Sequence, residues 1–485
     1  MSIAAAFNSA NSGLGANARQ AETLSSNVAN ASTPGHVRRE VIVAARADGA
    51  GAGGVRVDGI RRDVDIFLLN ARRAGQAAAA ASAQDQGART RLERIMGDTE
   101  SPGSLVNRVN ALDAALIAAA GRPESEARLA DVADAAARLA GALNDASRAT
   151  QEERMAADRE IAAAVARINT TIQRIDALNT RIRTLVASGG DVSGLKDERA
   201  ALVDSIAELV PLREEDRGQG TIALFTTGGA ALVDGRAARL DFTPASAITA
   251  AMTVADGDLS GLGYDGLSVP IGGEAGLFHG GRLAALFAQR DSVAPAAQAQ
   301  IDALARDLVL RFADPAVDPT LSPGDAGLFT DAGGPYDTAS PDGLAGRIRL
   351  HAAVDPRAGG SVTALRDGLA SGTSRELGDA TQLLALSTAL GARKPSATPA
   401  IVARDHSSGE LAAALLSLAS TGRVSSDSEA AFHAARLAGL QDIEARRGVD
   451  IDAEMQGLLV LERHYAANAR VIQTLDRLLA SILEI

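Results

Sequence analysis

The chain has 485 residues, enough for two or three domains and a sizeable core, and it contains no cysteine, which removes disulfides, thiol catalysis and Cys-ligated metals together. A formal charge of −12 disfavours nucleic acid or an anionic membrane as partner. Hydrophobic residues make up 46% but aromatics only 2%, so alanine supplies much of the apolar surface and closely packed helices are favoured over a deep small-molecule pocket.

No run reaches the ~20 apolar residues of a membrane span, and the first residues lack a basic segment followed by an apolar core, so no Sec-type signal peptide is expected. In chain order, Ile3, Phe7, Ala10, Leu14, Asn17, Ala21, Leu24 and Val28 recur at alternating steps of three and four, the seam of an amphipathic helix. Thr33-Pro34-Gly35 stops it. Val37 to Ala45 and Gly54 to Val64 then alternate like paired strands. The glycines between them match G-x-G-x-x-G, yet a dinucleotide fingerprint must open a helix, and this one opens a Val-rich stretch; a hairpin loop is expected.

Helical character returns from Phe67 to about Ile117, broken near Ser101-Pro102-Gly103. Arg122-Pro123 is expected to start a helical hairpin whose second arm runs from about Gln151 to Ala187, on the order of 55 Å. Ile161, Val165, Ile168, Ile172, Ile175, Ile182 and Val186 form its seam, with Asn179 in the gap and Leu129, Val132, Leu139 and Leu143 of the first arm to fill it. Gly189-Gly190 ends that arm, and a shorter helix spans Leu195 to Leu209. Short strands are expected at Thr221–Phe225, Ala230–Val233, Ala237–Phe242 and Arg347–Leu350, with helix over Gly276–Phe312, Leu377–Leu390 and Ser407–Arg447.

The last segment, from Gly448, carries Leu458, Leu461, Tyr465, Ile472, Leu475, Leu479 and Ile482 on a heptad seam that only Asn468 interrupts. Periodicity allows two arrangements: the chain ends meet as a coiled coil, or each packs separately on a globular core.

The motifs sought for chemistry give no active site. None of His36, His279, His351, His406, His433 and His464 has another histidine at i, i+4, and H-E-x-x-H is absent. Ser193-Gly194-Leu195-Lys196 matches S-x-x-K without its companion motifs, and Ser193 reads as a helix cap. Asp314, Asp318, Asp325 and Asp331 lack the EF-hand order and read as a solvated loop. No catalytic, cofactor-binding or metal-ligating residue is assigned.

Two stretches carry a resemblance. Leu24–Glu40 (LSSNVANASTPGHVRRE) resembles the signature of the flagellar axial family (rod, hook and filament proteins): a Leu, then Ser/Asn-Ile-Ala-Asn, then Thr-x-Gly-Tyr. The family-motif positions are Asn27, Ala29, Asn30, Thr33, Pro34 and Gly35, with His36 where an aromatic is usual. The closing segment is similar to the family's Gly-Val-Asn-Leu-Asp-Glu-Glu-Met helix, with Asp450 and Ala453 as departures. Arg167–Val210 resembles the helical middle of hook-associated members, although Ala200 replaces an Asp.

The resemblance implies a structural adaptor joining hook to filament, with no cofactor. It would self-associate in a ring or tube and contact the hook protein, a second hook-associated or filament protein and an export chaperone, but no nucleic acid and no membrane. It also implies export through the flagellum's own type III channel without a cleaved signal, to a place in the extracellular flagellum. Rival readings are another axial protein, hook or distal rod, and a flagellum-associated hydrolase with axial-like ends.

The expected fold is mainly α, with long coiled-coil-like helices from both ends and the middle and a smaller β-rich insert. Residues 1–35 with 448–485 form the terminal core; 36–212 with 276–312 and 361–447 form an elongated helical part; 213–275 with 313–360 form the outer insert. The expected assembly interface is Ile3, Phe7, Leu14, Leu24, Val28, Leu458, Leu461, Tyr465, Ile472, Leu475, Leu479 and Ile482.

Overall fold

The structure, a computed structural model, describes residues 3–33, 36–46, 53–97, 101–273, 276–395 and 404–483. Long helices from both ends and the middle dominate it, with small antiparallel sheets set against them. The chain opens with α1 (Ile3–Asn30) and the hairpin β1 (Arg39–Ala45) and β2 (Val55–Arg62), then enters the body through α2 (Ile66–Met96) and α3 (Leu105–Ala120). Asp65 caps α2 by accepting from the Phe67 and Leu68 amides, and Ser104 caps α3 through the Asn107 amide.

The spine of the body is α4 (Glu126–Ala187), 62 residues in one unbroken helix of about 93 Å at 1.5 Å per residue. This corrects the helical hairpin expected across 122–187. No proline lies within α4, and its middle, from Asn144 to Glu160, holds no glycine to turn the chain. The apolar stripe lapses in that middle because polar side chains are buried there instead. Arg154 donates to the backbone carbonyls of Arg290, Thr249 and Met252 at 3.0, 2.8 and 2.7 Å. Asp158 pairs with Arg290 at 2.7 Å, and both are almost wholly buried. Arg290 sits in a π-helical turn (Gln289–Val293) and also lies over the rings of Phe242 and Phe287.

The two halves of α4 serve different cores. Leu129, Val132, Leu139 and Leu143 pack with residues of α3, α7 (Ala294–Phe312) and α10 (Thr381–Gly391). Ile161, Val165, Ile168, Ile172 and Ile175 pack with α5 (Ser193–Ala207), the strands that follow it and α6 (Gly281–Ala288). Those strands are β3 (Leu212–Gly218), β4 (Thr221–Thr226) and β5 (Ala231–Val233) in one sheet, and β6 (Leu240–Asp241), β7 (Leu262–Tyr264) and β8 (Leu267–Val269) in another. Asn179, the gap in the seam, donates to the Ile222 carbonyl at 2.8 Å and accepts its amide at 3.2 Å, tying α4 to β4 as a ladder would.

Residues 213–275 thus join the core at the C-terminal half of α4. Residues 313–360, with β9 (Phe329–Asp331), α8 (Leu344–Arg347) and β10 (Ile348–Leu350), join the other one. A single turn α9 (Ala364–Asp367) and the short pair β11 (Lys394–Pro395) and β12 (Asp405–His406) lead into α11 (Ser408–Arg446), which begins with a complete Ser407/Glu410 capping box. α11 runs back along α2: Gly75 lies against Leu440 and Leu437, and Glu93 pairs with Arg423 at 2.5 Å. The alanines of α2 permit that close approach. The last helix is α12 (Ile451–Leu483).

Candidate functional site

The two chain ends meet as a helix pair. Leu24 lies against Gly457, Gly13 against Asn468, and Asn27 donates to Glu454 at 3.2 Å. Positions rise on one helix as they fall on the other, so α1 and α12 are antiparallel. A Cβ on Gly13 would sit 2.9 Å from Asn468 Nδ2, the far end of a flexible side chain, so the helices come close at this glycine.

The buried residues of α1 are Ala10, Gly13, Ala16, Asn17, Thr23 and Asn27. Of the seam residues expected there, Ala10 and Asn17 are buried; Ile3, Leu14, Ala21, Leu24 and Val28 are half-buried; Phe7 is exposed. On α12, Leu461 and Leu475 are buried, Leu458, Asn468 and Ile472 are half-buried, and Tyr465, Leu479 and Ile482 face solvent. The pair meets through small residues on α1 and larger ones on α12, a geometry that a search for bulky residues on both helices misreads.

At the open end of the pair lies a polar junction of three segments. Asn27, wholly buried, accepts the Arg39 amide at 3.0 Å and donates to the Arg39 carbonyl at 2.9 Å, so its carboxamide extends the strand pairing of β1 onto α1. Glu454, 1% exposed, accepts from Asn27 and from Arg38 Nε at 2.6 Å. That bond raises the Arg38 pKa above its ordinary value. Glu454 and Arg38 were missed as site residues, although Glu454 stands at the second Glu of the Glu-Glu-Met motif.

Among the other motif positions, Ala29 and Thr33 are exposed and Asn30 donates to the Ser26 carbonyl at 2.9 Å; Pro34 and Gly35 lie outside the described residues. His36 is half-buried; burial first, then Arg39, lowers its pKa, so it presents a neutral imidazole where the family usually has an aromatic.

The hairpin lies along the same helix. Val41 pairs with Ile60 and Val43 with Val57, with a bulge between Ile42 and Val43. Ser12 Oγ accepts the Val55 amide at 3.1 Å, and Ser9 Oγ donates to the Gly53 carbonyl. Residues 47–52 of the glycine-rich segment lie outside the described residues, but a strand, not a helix, follows Gly54. A dinucleotide fold is thereby excluded here.

The remaining motifs resolve into local structure. Ser193 is the first residue of α5 rather than its cap; Asp191 accepts its amide at 2.9 Å, which lowers the Asp191 pKa. Asp314, Asp318 and Asp325 accept the amides of Ala316, Thr320 and Ser322, and Asp331 pairs with Arg347. Among the described residues no group of three or more His, Asp or Glu side chains is arranged to hold a metal.

Comparison with known proteins places these elements. Residues 89–314 match the family model described as the flagellar hook-associated protein FlgK helical domain. The chain is thus similar to flagellar hook-associated proteins. Both ends of the chain match axial models as well: residues 7–36 match the flagella basal body rod protein model, and residues 446–485 match the flagellar basal body rod FlgEFG protein C-terminal model.

Among curated relatives, flagellar hook-associated protein 1 of Salmonella typhimurium is 28% identical over 259 residues, covering 51% of this chain and 46% of that protein. The Escherichia coli protein of that name is 26% identical over 257 residues, covering 51% and 47%. The match thus spans about half the length of these relatives. The flagellar hook junction protein FlgK from Burkholderia pseudomallei aligns in structure with a TM-score of 0.44 and 20% identity, over 54% of this chain and 46% of that one.

Proposed function

We propose that this chain is a structural component of the bacterial flagellum, an adaptor between hook and filament whose α1–α12 pair enters the axial tube. The observation that carries the reading is the outer surface of α12. One face packs on α1, while Leu459, Val460, Val471, Leu478 and Ile482 remain 44–56% exposed. Exposed apolar side chains of that kind on a helix make an association surface, worth about 25 cal/mol per Å² removed from water. Within this proposal the subunits self-associate in a ring or tube through the exposed faces of the terminal helices, and the partners are the hook protein and a second hook-associated or filament protein.

Export through the flagellum's own type III channel, with a chaperone covering the terminal apolar faces, belongs to the same reading. So does the three-part division, with the terminal pair innermost, the long helices next and the β-rich stretches outermost. The role is structural and not catalytic. Deleting residues 458–485 tests it by complementation of a strain that lacks its own hook–filament adaptor. The truncated chain is expected to fold and leave the cell without restoring filaments; restored filaments would overturn the proposal.

A further inference from the structure

The terminal layer, α1 with the hairpin and α12, is joined to the body in an unusual manner. α1 packs on α12 and on both hairpin strands, and none of these elements packs broadly on an element of the body. Two chain crossings connect it, at 63–65 and 447–450, and Arg447 pairs with Asp65 to bind these crossings together. Between hairpin and body lies a cleft of about 1950 Å³. Ile42, Val57 and Ile60 line its hairpin wall, and Val186, Ala200 and Ile222 line the opposite one.

The hairpin end nearest the body carries a charge problem. Arg39 and Arg62 are directly opposite on the two strands, and like charges so placed destabilise a strand pair. Asp197 of α5 answers both: it pairs with Arg62 Nη2 at 2.8 Å and with Arg39 Nη2. Among the described residues neither arginine has another carboxylate partner. All three side chains are only about a fifth exposed, so the pairing is screened less than a surface ion pair. Other cations lie close by: burial, Arg199 and Arg62 lower the Lys196 pKa, with Asp216 opposing them. Without the Asp197 carboxylate, Arg39 and Arg62 would face each other as like charges without an ion-pair partner.

We infer that the terminal layer is a swinging unit, hinged where the two crossings meet at Asp65 and Arg447 and latched to the body by the Arg39–Asp197–Arg62 triad. The latch is a carboxylate clasped between two guanidiniums, and its release lets the layer turn about the cleft without unfolding either part. This holds whether or not the chain joins hook to filament.

The absence of cysteine makes the test direct. Arg183 on α4 and Arg463 on α12 are exposed, so Arg183→Cys and Arg463→Cys give spin-label positions on body and layer in the full chain. Pulsed electron resonance at about 50 mM salt is expected to give one narrow distance. Asp197→Asn is expected to widen the distribution about twofold, and salt raised to about 0.5 M to widen it less, because the triad is partly shielded from screening. The reversed triad, Asp197→Arg with Arg39→Glu and Arg62→Glu, is expected to narrow it again, which separates release of a latch from damage to the fold. A distribution unchanged by Asp197→Asn would overturn the inference. So would one already broad in the parent, or one that the reversed triad leaves wide.

Discussion

Asn27 and Glu454 are 427 positions apart in the sequence and 3.2 Å apart in the structure. The contact fixes the antiparallel register of the terminal helices, because a shift by one residue would bury both polar groups without partners. Arg38 completes the junction from a third segment, so a single carboxylate organises the helix pair and the first strand.

Glu454→Ala is therefore expected to destabilise the terminal layer by about 2 kcal/mol, the cost of leaving Asn27 unsatisfied and Arg38 without its partner. The figure sits at the low end for a buried pair because Arg38 is 34% exposed and water can reclaim it. Glu454→Gln, which keeps an acceptor, is expected to cost about half as much. Amide hydrogen exchange over 20–30 and 451–461 reads the effect; protection equal to the parent in Glu454→Ala would contradict it.

Much of this architecture was legible because it rests on periodicity and on chain breakers. The hairpin, α5, α10, α11 and the strand at Ile348–Leu350 stand close to where alternation, capping and glycines place them. What escaped reading has a common cause. Asn27, Arg154, Asp158 and Asn179 are buried polar residues whose partners are backbone groups or side chains farther along the chain. A pattern that equates burial with apolarity reads them as gaps, which is how one helix of 62 residues came to look like two. The α1 contact face was misread for a related reason, since Gly13 and Ala16 matter for the volume they leave vacant.

Gly13 gives the second prediction. Gly13→Ala places a methyl against the Asn468 amide, the mobile end of a half-buried side chain, and the helix propensity gained is about 1 kcal/mol, so the change is expected to be close to neutral. Gly13→Leu has no such outlet and is expected to push the helices apart at a cost of about 1–3 kcal/mol. Thermal unfolding of the terminal layer, followed by a fluorophore on α12, distinguishes the two. A tolerated leucine would show that the helices do not approach at this point.

Acid stability supplies a third. Hydrogen bonding to the Ser193 amide holds the Asp191 pKa below its ordinary 3.8. The stabilisation is present above that value and is lost as pH falls through the lower folded-state pKa. Asp302 is opposite in sign: burial raises its pKa, against the pull of the Ala345 and Gly343 amides. Its contribution is full below 3.8 and is lost as pH rises through the raised value. Asp191→Asn is thus expected to flatten the loss of stability on acidification, and Asp302→Asn to remove a penalty felt near neutral pH. Denaturant midpoints between about pH 3 and 7 measure both; parallel curves for the two variants would refute the assignment.

The last prediction separates contacts within one chain from those between chains. Leu475 is 8% exposed on the face of α12 that packs on α1, whereas Leu479, one turn further, is 40% exposed. Leu475→Asp places a carboxylate against α1, where an unpaired charge costs several kcal/mol, so it is expected to loosen the helix pair even in the isolated protein. Leu479→Asp is expected to leave the isolated protein unchanged in hydrogen exchange. If the exposed face joins neighbouring subunits, that variant should still fail to support filament growth, because each copy in the assembly repeats the defect. Arg477→Asp, also on solvent-facing helix, controls for added negative charge and is expected to retain at least part of the parent activity. Filament growth with Leu479→Asp at the parent level would show that this face touches no neighbour, and loosening of the isolated protein by Leu479→Asp would show that the face already serves the pair.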